Sequence, residues 1–300
     1  MENNALMDLA KSKEYEKVLD TYQQYPIESV TEVADFLRNE DIYNVATTLY
    51  QYLLEQKETA DFHYGIGQCY GKNYDYDTSL FHLKKAFDSG EDRTEGANYY
   101  AYILERKLLM DDAYKWYQKA LENGYDKDLW TLSHYAYFLE KYNKTEAAKK
   151  AYEDVLNIDP AYTWAVKRYA IFLLKENEPE QSLKLMQDAL EKFPKNPFVK
   201  LNYLEYLIIR GKADEYEQYL QTIDYEKAPL PFKVLVDLFD YFQRYLLNGK
   251  SDAEKVKAYE EKANSLKDSI HRDFDDLNEI LVAKNGDMTE WKRLITFLLK

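Results

Sequence analysis

A repeat of about 34 residues is the feature that most constrains the fold of this chain. Five small residues recur at spacings of 33, 34, 35 and 34 residues, namely Ala46, Ser79, Ala113, Ala148 and Ser182. Apolar residues recur around each of them at intervals of three and four, which indicates amphipathic helices. Because a repeat of this length cannot bury its apolar face alone, successive repeats must stack. The sequence therefore predicts an all-α array.

The stretch that ends at Pro194 shows the pattern most completely, and the preceding repeat ends 34 residues earlier, at Pro160. Two helical patterns in it are separated by a polar break at 176–178. The positions that carry the pattern are Val166, Tyr169, Ala170, Leu173, Ser182, Met186, Ala189 and Pro194. At these spacings the stretch resembles a tetratricopeptide (TPR) repeat. The resemblance implies a right-handed α-solenoid of helix pairs that binds partner proteins.

In this register the chain is predicted to have three regions. Residues 1–26 form a degenerate N-terminal repeat or cap, whose first helix begins near residue 3, and residues 27–228 form the TPR array. Residues 229–300 form a C-terminal helical cap that is continuous with the array. The predicted repeats are 27–59, 60–93, 94–128, 129–162, 163–196 and a decayed repeat at 197–228. In the decayed repeat Tyr216 replaces the small residue.

Two features of the predicted cap bear on its packing. Residues 231–247 have apolar side chains on two faces, so we expect this helix to be buried from both sides. The last helix has Trp291, Leu294, Ile295 and Leu298 on one side. If this stripe is exposed, a second copy can pair with it, so the sequence predicts a monomer or a weak homodimer through the C-terminal helices.

Composition excludes several classes of partner. The net charge of −14, from 54 acidic and 40 basic side chains, disfavours nucleic acid and anionic membranes, which need a basic surface. We find neither a signal peptide nor an apolar run of membrane-spanning length, so we expect a cytoplasmic protein. Cys69 is the single cysteine, which rules out an intrachain disulfide.

The sequence offers little basis for catalysis. His63, His82, His134 and His271 fall in different predicted elements and lack metal-ligand spacing. There is no glycine-rich phosphate loop, and Asp273, Asp275 and Asp276 are interpreted as a solvated helix face. We therefore expect a non-enzymatic protein with no cofactor and no metal site.

The TPR resemblance also implies where a partner would bind, because the first helices of successive pairs line a concave groove in that family. Carried over by repeat position, the candidate groove residues are Tyr64, Gln68, Lys72, Asn98, Tyr102, Arg106, Trp130, Tyr137, Lys141, Trp164, Lys167 and Lys175. Aromatic and amide side chains suit an extended or helical peptide.

Four of these residues, Lys72, Arg106, Lys141 and Lys175, form a basic column in an acidic chain. The column is either a site for an acidic segment or a free C-terminal carboxylate, or a set of lysine stems that pack over the next turn. The chaperone-binding members of the family use a two-carboxylate clamp, and its residues are absent from this register.

Two functional hypotheses follow. The leading one is a scaffold for protein–protein interactions that binds a peptide or a helical segment of a partner in the groove. The alternative is a peptide-responsive regulator of the kind found in Gram-positive bacteria. In those proteins an additional N-terminal domain usually precedes the repeats, whereas here the repeats begin almost at Met1.

Overall fold

The computed structural model describes residues 5–88, 94–266, 270 and 272–298, and every regular element in these ranges is a helix. The predicted all-α class is confirmed. Residues 3 and 4 of the first predicted helix, and His271, lie outside the described residues. The chain divides into two compact units, residues 1–154 (unit 1) and 155–300 (unit 2).

Unit 1 is built from consecutive helix pairs. They are α1 (Ala5–Lys11) with α2 (Tyr15–Thr21), α3 (Ile27–Asn39) with α4 (Tyr43–Gln56), α5 (Ala60–Lys72) with α6 (Tyr76–Phe87), α7 (Ala97–Arg106) with α8 (Met110–Ala120), and α9 (Leu129–Lys141) with α10 (Thr145–Ile158). The unit boundary falls within α10. Each repeat predicted between residues 27 and 162 contains one of these pairs.

Unit 2 begins with two further pairs and continues with four more helices. They are α11 (Thr163–Lys175) with α12 (Pro179–Lys192), α13 (Pro197–Ile209) with α14 (Ala213–Leu220), and then α15 (Leu230–Arg244), α16 (Ala253–Asn264), α17 (Asp275–Ala283) and α18 (Met288–Thr296).

One type of turn joins the two helices of each pair from α1–α2 to α13–α14. A residue with a left-handed backbone lies in each turn, namely Lys13, Asp41, Tyr74, Leu108, Asn143, Asn177 and Gly211. The next backbone N–H then donates to the carbonyl five residues back, as from Ile42 to Leu37 at 2.8 Å. This is the Schellman arrangement, which satisfies carbonyl groups at the end of the first helix.

The small residues of the repeat are buried where the two helices of a pair meet. Ala46, Ser79, Ala113, Ala148 and Ser182 are all 0% exposed. The Ser79 hydroxyl donates to the Gly67 carbonyl at 2.7 Å, and the Ser182 hydroxyl donates to the Ala170 carbonyl at 2.6 Å. A Cβ atom added at Gly67 would lie 2.8 Å from the Leu83 side chain. The two helices of a pair therefore approach closely at these positions.

The C-terminal helices and α13–α14 share one hydrophobic core. Helix α15 is buried on both faces, as predicted, with Phe239 and Leu238 each fully covered. Trp291 is also buried, and its ring packs edge-on against Phe242 and Phe274. The Trp291–Leu298 stripe is therefore covered by the chain itself. This corrects the premise that it is exposed for pairing with a second copy.

Candidate functional site

Helices α5, α7 and α9 carry most of the predicted groove residues, and α7 and α9 contact each other directly. We call the surface formed by these residues the unit 1 face. It consists of Tyr64, Gln68, Lys72, Asn98, Tyr102, Arg106, Trp130, Tyr137 and Lys141. Each is presented by the first helix of its pair.

An aromatic cluster lies at the centre of the unit 1 face. The Tyr102 ring centroid is 5.7 Å from that of Trp130 and 5.1 Å from that of His134, and the Trp130 and His134 centroids are 4.3 Å apart. Tyr99 lies beneath them, 5.9 Å from Tyr102, and is buried. Tyr102, Trp130 and His134 stay partly exposed. Tyr102 and Trp130 pack against the buried Tyr99 ring, and His134 packs against both of them, so the three rings can contact a ligand without first becoming ordered.

The cations of the basic column in unit 1 lie at the ends of three helices. Lys72, Arg106 and Lys141 are the last residues of α5, α7 and α9, where the helix dipole favours positive charge. All three are exposed. Burial and, to a smaller extent, the charges of Lys72, Lys141 and Arg106 together lower the pKa of His134 to about 4. The positive field of the column therefore extends to the aromatic cluster.

A buried carboxylate fixes one end of this column. Glu105 accepts a hydrogen bond from the Tyr117 hydroxyl at 3.0 Å and one from Lys141 Nζ at 3.4 Å. Burial raises the pKa of Glu105, although the Lys141 charge opposes the rise. Lys141 Nζ also lies 4.0 Å from the centroid of the Tyr137 ring, a cation–π contact. Both contacts orient Lys141 across the face.

Three predicted groove residues lie deeper and hold the helices together. Gln68 donates to the Tyr64 hydroxyl at 2.9 Å, and the Tyr99 hydroxyl donates to the Gln68 carbonyl at 3.2 Å. Asn98 donates to the Thr131 hydroxyl at 2.9 Å. Tyr64 is buried. These contacts give Tyr64, Gln68 and Asn98 a positioning role beneath the exposed aromatics.

The predicted residues of α11 have a different environment, within unit 2. Lys167 is 4% exposed, and its Nζ lies 3.3 Å from Glu205 Oε1. Lys175 Nζ lies 3.2 Å from Asp276 Oδ1, whereas Trp164 is partly exposed. Lys167 is therefore not an open groove residue. The interpretation of Asp276 as solvated is also wrong, since it is 5% exposed and ion-paired.

Two histidines that the sequence placed in separate elements meet in unit 1. His63 Nδ1 lies 2.9 Å from His82 Nδ1, and His63 Nε2 lies 2.9 Å from Glu58 Oε1. Burial lowers the pKa of His82 to about 4, so it is neutral near pH 7. Nowhere in the described residues do three or more His, Cys, Asp or Glu side chains form a group suited to a metal ion. The two histidines form a partly buried hydrogen-bonded contact, and His63 also lines an open pocket.

Among the described helices, none combines the length and apolarity that crossing a bilayer requires.

Stacked helix pairs with a common turn and a common small-residue contact define an α-solenoid repeat protein. Residues 140–201 match the tetratricopeptide repeat family. The resemblance to tetratricopeptide repeats that the sequence pattern predicted is therefore confirmed. Such repeats generally form non-enzymatic scaffolds that bind protein partners.

Several solved structures share the fold. A tetratricopeptide repeat protein from Parabacteroides merdae is 10% identical, with a TM-score of 0.58 over 91% of this chain and 98% of that chain. YrrB, described as a TPR protein with an unusual peptide-binding site, is 16% identical, with a TM-score of 0.51 over 66% and 96%. PilF of Pseudomonas aeruginosa is 15% identical, with a TM-score of 0.51 over 69% and 95%. No curated protein matches the sequence.

Proposed function

We propose that this protein is an interaction scaffold whose unit 1 face binds a peptide or a helical segment of a partner protein. The observation that carries the proposal is the partly exposed cluster of Tyr102, Trp130 and His134, in which Tyr102 and Trp130 pack against the buried Tyr99. The rings are held by their neighbours before any ligand arrives, so little side-chain entropy is lost on binding.

The chemistry of the face suits a peptide ligand. Aromatic side chains provide a large contact area with few rotatable bonds, and such residues dominate binding energy in protein interfaces. Tyr137, with Lys141 over its ring, extends the cluster along α9. The cations at the helix ends lie at one border of the cluster, where they can pair with a carboxylate of the ligand. The peptide-binding site described for YrrB agrees with this use of the fold.

The test is recovery of partners from the native cell with variants of the full chain. Tyr102→Ala combined with Trp130→Ala removes the exposed rings, whereas Phe81→Ala removes an exposed ring from the second helix α6 and serves as the matched control. We expect the double variant to lose the specific partners and the control to keep them, with both variants retaining the wild-type circular dichroism spectrum. Retention of every specific partner by the folded double variant would contradict the proposal.

A further inference from the structure

Segment Arg272–Asp276 of unit 2 lies across the first helices α11 and α13, which are the positions that would line a groove. Its acidic side chains face the basic residues of α11. Asp276 Oδ2 accepts a hydrogen bond from Arg168 Nη1 at 2.8 Å, and Asp276 Oδ1 lies 3.2 Å from Lys175 Nζ. The Asp273 carbonyl accepts from Lys167 Nζ at 3.3 Å. Two aspartates thus bind three cations of α11. The Asp276 carboxylate binds two of them, and the Asp273 backbone carbonyl binds the third.

The same segment also bonds to α13. Arg272 Nη2 donates to Asn202 Oδ1 at 3.0 Å and to the carboxylate of Glu205. Glu205 in turn accepts from Lys167 at 3.3 Å and 3.4 Å. The segment therefore contacts two successive first helices with both its cation and its anions, as a bound peptide would.

The ionic groups at the centre of this contact are buried, whereas the Lys175 and Asp273 side chains are partly exposed. Arg168 is 2% exposed and Glu205 is 0% exposed. Buried ion pairs contribute little net stability compared with apolar packing, and their best-attested use is to specify one arrangement. The apolar contact of the segment with the core of unit 2 is separate from these ionic contacts, because it is made by Phe274, which packs against Trp291. The charged side of the segment thus serves recognition of α11 and α13.

The segment leaves part of this surface open. A pocket of about 380 Å³ lies beside it. Its lining combines aliphatic side chains with cations, namely Ile171, Leu174, Ile209, Ile280, Lys175, Arg210 and Lys212, together with Asp276 and Glu279. A competing chain with acidic and aliphatic residues can therefore make a first contact in this pocket, beside the surface that the segment covers.

We propose that the α11–α13 surface is a peptide-binding surface occupied by the chain's own segment Arg272–Asp276, so that a partner gains access only by displacing that segment. The occupant is covalently attached, so its binding is intramolecular and is favoured over the binding of a separate peptide. A free peptide of the same sequence therefore competes poorly in the wild-type chain. Substitutions that weaken the contacts of the attached segment should make the α11–α13 surface accessible to the free peptide.

The test is fluorescence anisotropy of the full chain with a labelled peptide of the sequence of residues 272–281. The variant Asp273→Asn/Asp276→Asn weakens the attached copy and leaves α11 and α13 intact. We expect it to bind the peptide at least tenfold more tightly than the wild type does. The matched control is Asp275→Asn, because Asp275 is exposed, and it should bind no better than the wild type. Adding Arg168→Gln to the double variant should remove the gain.

Hydrogen exchange measured on the same variants decides whether the segment is an occupant or part of the core. We expect the double variant to exchange faster in α17 and to keep wild-type protection in α11 and α13. A double variant that stays folded and gains no affinity for the peptide would overturn the proposal. So would a loss of protection throughout α11 and α13, since the segment would then be an integral part of the core.

Discussion

Replacing Glu205 with glutamine tests the ionic network of unit 2. Glu205 is 0% exposed and accepts from Lys167 at 3.3 Å and 3.4 Å, and from Arg272. Burial opposes ionisation of Glu205, but the charges of Arg272 and Lys167 outweigh it and lower the pKa of this carboxyl. Glu205→Gln removes the anion and leaves both cations buried beside a neutral amide. Breaking one side of a buried ion pair costs about 3–5 kcal/mol, and we expect a loss of that size.

The assay is urea unfolding followed by circular dichroism, with hydrogen exchange in α13 to locate the loss within unit 2. The matched control is Asp240→Asn, since Asp240 pairs at 2.6 Å with Arg244, which is 41% exposed. Such a surface pair contributes at most about 1 kcal/mol. Replacing Lys167, Glu205 and Arg272 together by Met should restore much of the stability, because no buried charge would then lack a counter-ion.

The refuting result is a Glu205→Gln variant whose stability lies within 1 kcal/mol (roughly the surface-pair limit) of the Asp240→Asn control. The stability of the wild type at acidic pH gives an independent check. Because the folded-state pKa of Glu205 is lowered, its stabilising contribution is present above the ordinary carboxyl pKa. It is lost as the pH falls through the folded-state value. The Gln variant should lack this share of acid sensitivity.

Three further predictions concern single side chains. Tyr216→Phe should stabilise the protein by about 1 kcal/mol in urea unfolding, since the buried Tyr216 hydroxyl has no hydrogen-bond partner among the described residues. The control Tyr117→Phe loses a hydrogen bond to Glu105 and should destabilise the protein. Leu108→Gly should raise the thermal midpoint, because Leu108 has φ of 59° and its exposed side chain makes little contact. The adjacent Leu109→Gly, at φ of −86°, should lower the midpoint instead. Because the pKa of His134 is about 4 when folded and 6.5 ordinarily, stability should fall as the pH drops below 6.5. His134 should account for about 2 kcal/mol of that fall by pH 5, and His134→Gln should abolish that share.

The repeat could be predicted because its causes are local. Small residues at a fixed period mark the contact between paired helices, and the buried Ser79 and Ser182 show why they recur. The turns could not be predicted in the same way. Glycine marks a left-handed turn in a sequence, but among the seven turn positions only Gly211 is glycine, and Tyr74 and Leu108 have the same backbone conformation.

The ionic network of unit 2 was missed for a different reason. Arg168 and Asp276 are 108 residues apart in sequence, and Lys167 and Asp273 are 106 apart. No periodicity connects them. In isolation an acidic cluster such as Asp273–Asp276 is typical of a solvated helix, and only the docking of the C-terminal region against α11 buries Asp276.

The unit 1 face was predicted in part. Repeat position assigned Tyr102 and Trp130 to the same predicted surface, and their ring centroids lie 5.7 Å apart. It did not show that Tyr64 and Gln68 bond to each other or that Tyr99 and His134 complete the cluster. Side-chain direction within a packed array depends on the neighbouring helix, which repeat register alone does not specify.

Site-specific photo-crosslinking in the native cell tests the central claim most directly. A benzoylphenylalanine placed at Tyr102, at Tyr137 or at Phe81 captures whatever protein lies against each position, and mass spectrometry identifies the crosslinked peptide. Binding on the unit 1 face predicts one discrete partner segment from both Tyr102 and Tyr137, and none from Phe81 on the second helix. The same partner captured equally from Phe81, or no discrete partner from the two face positions, would contradict the claim.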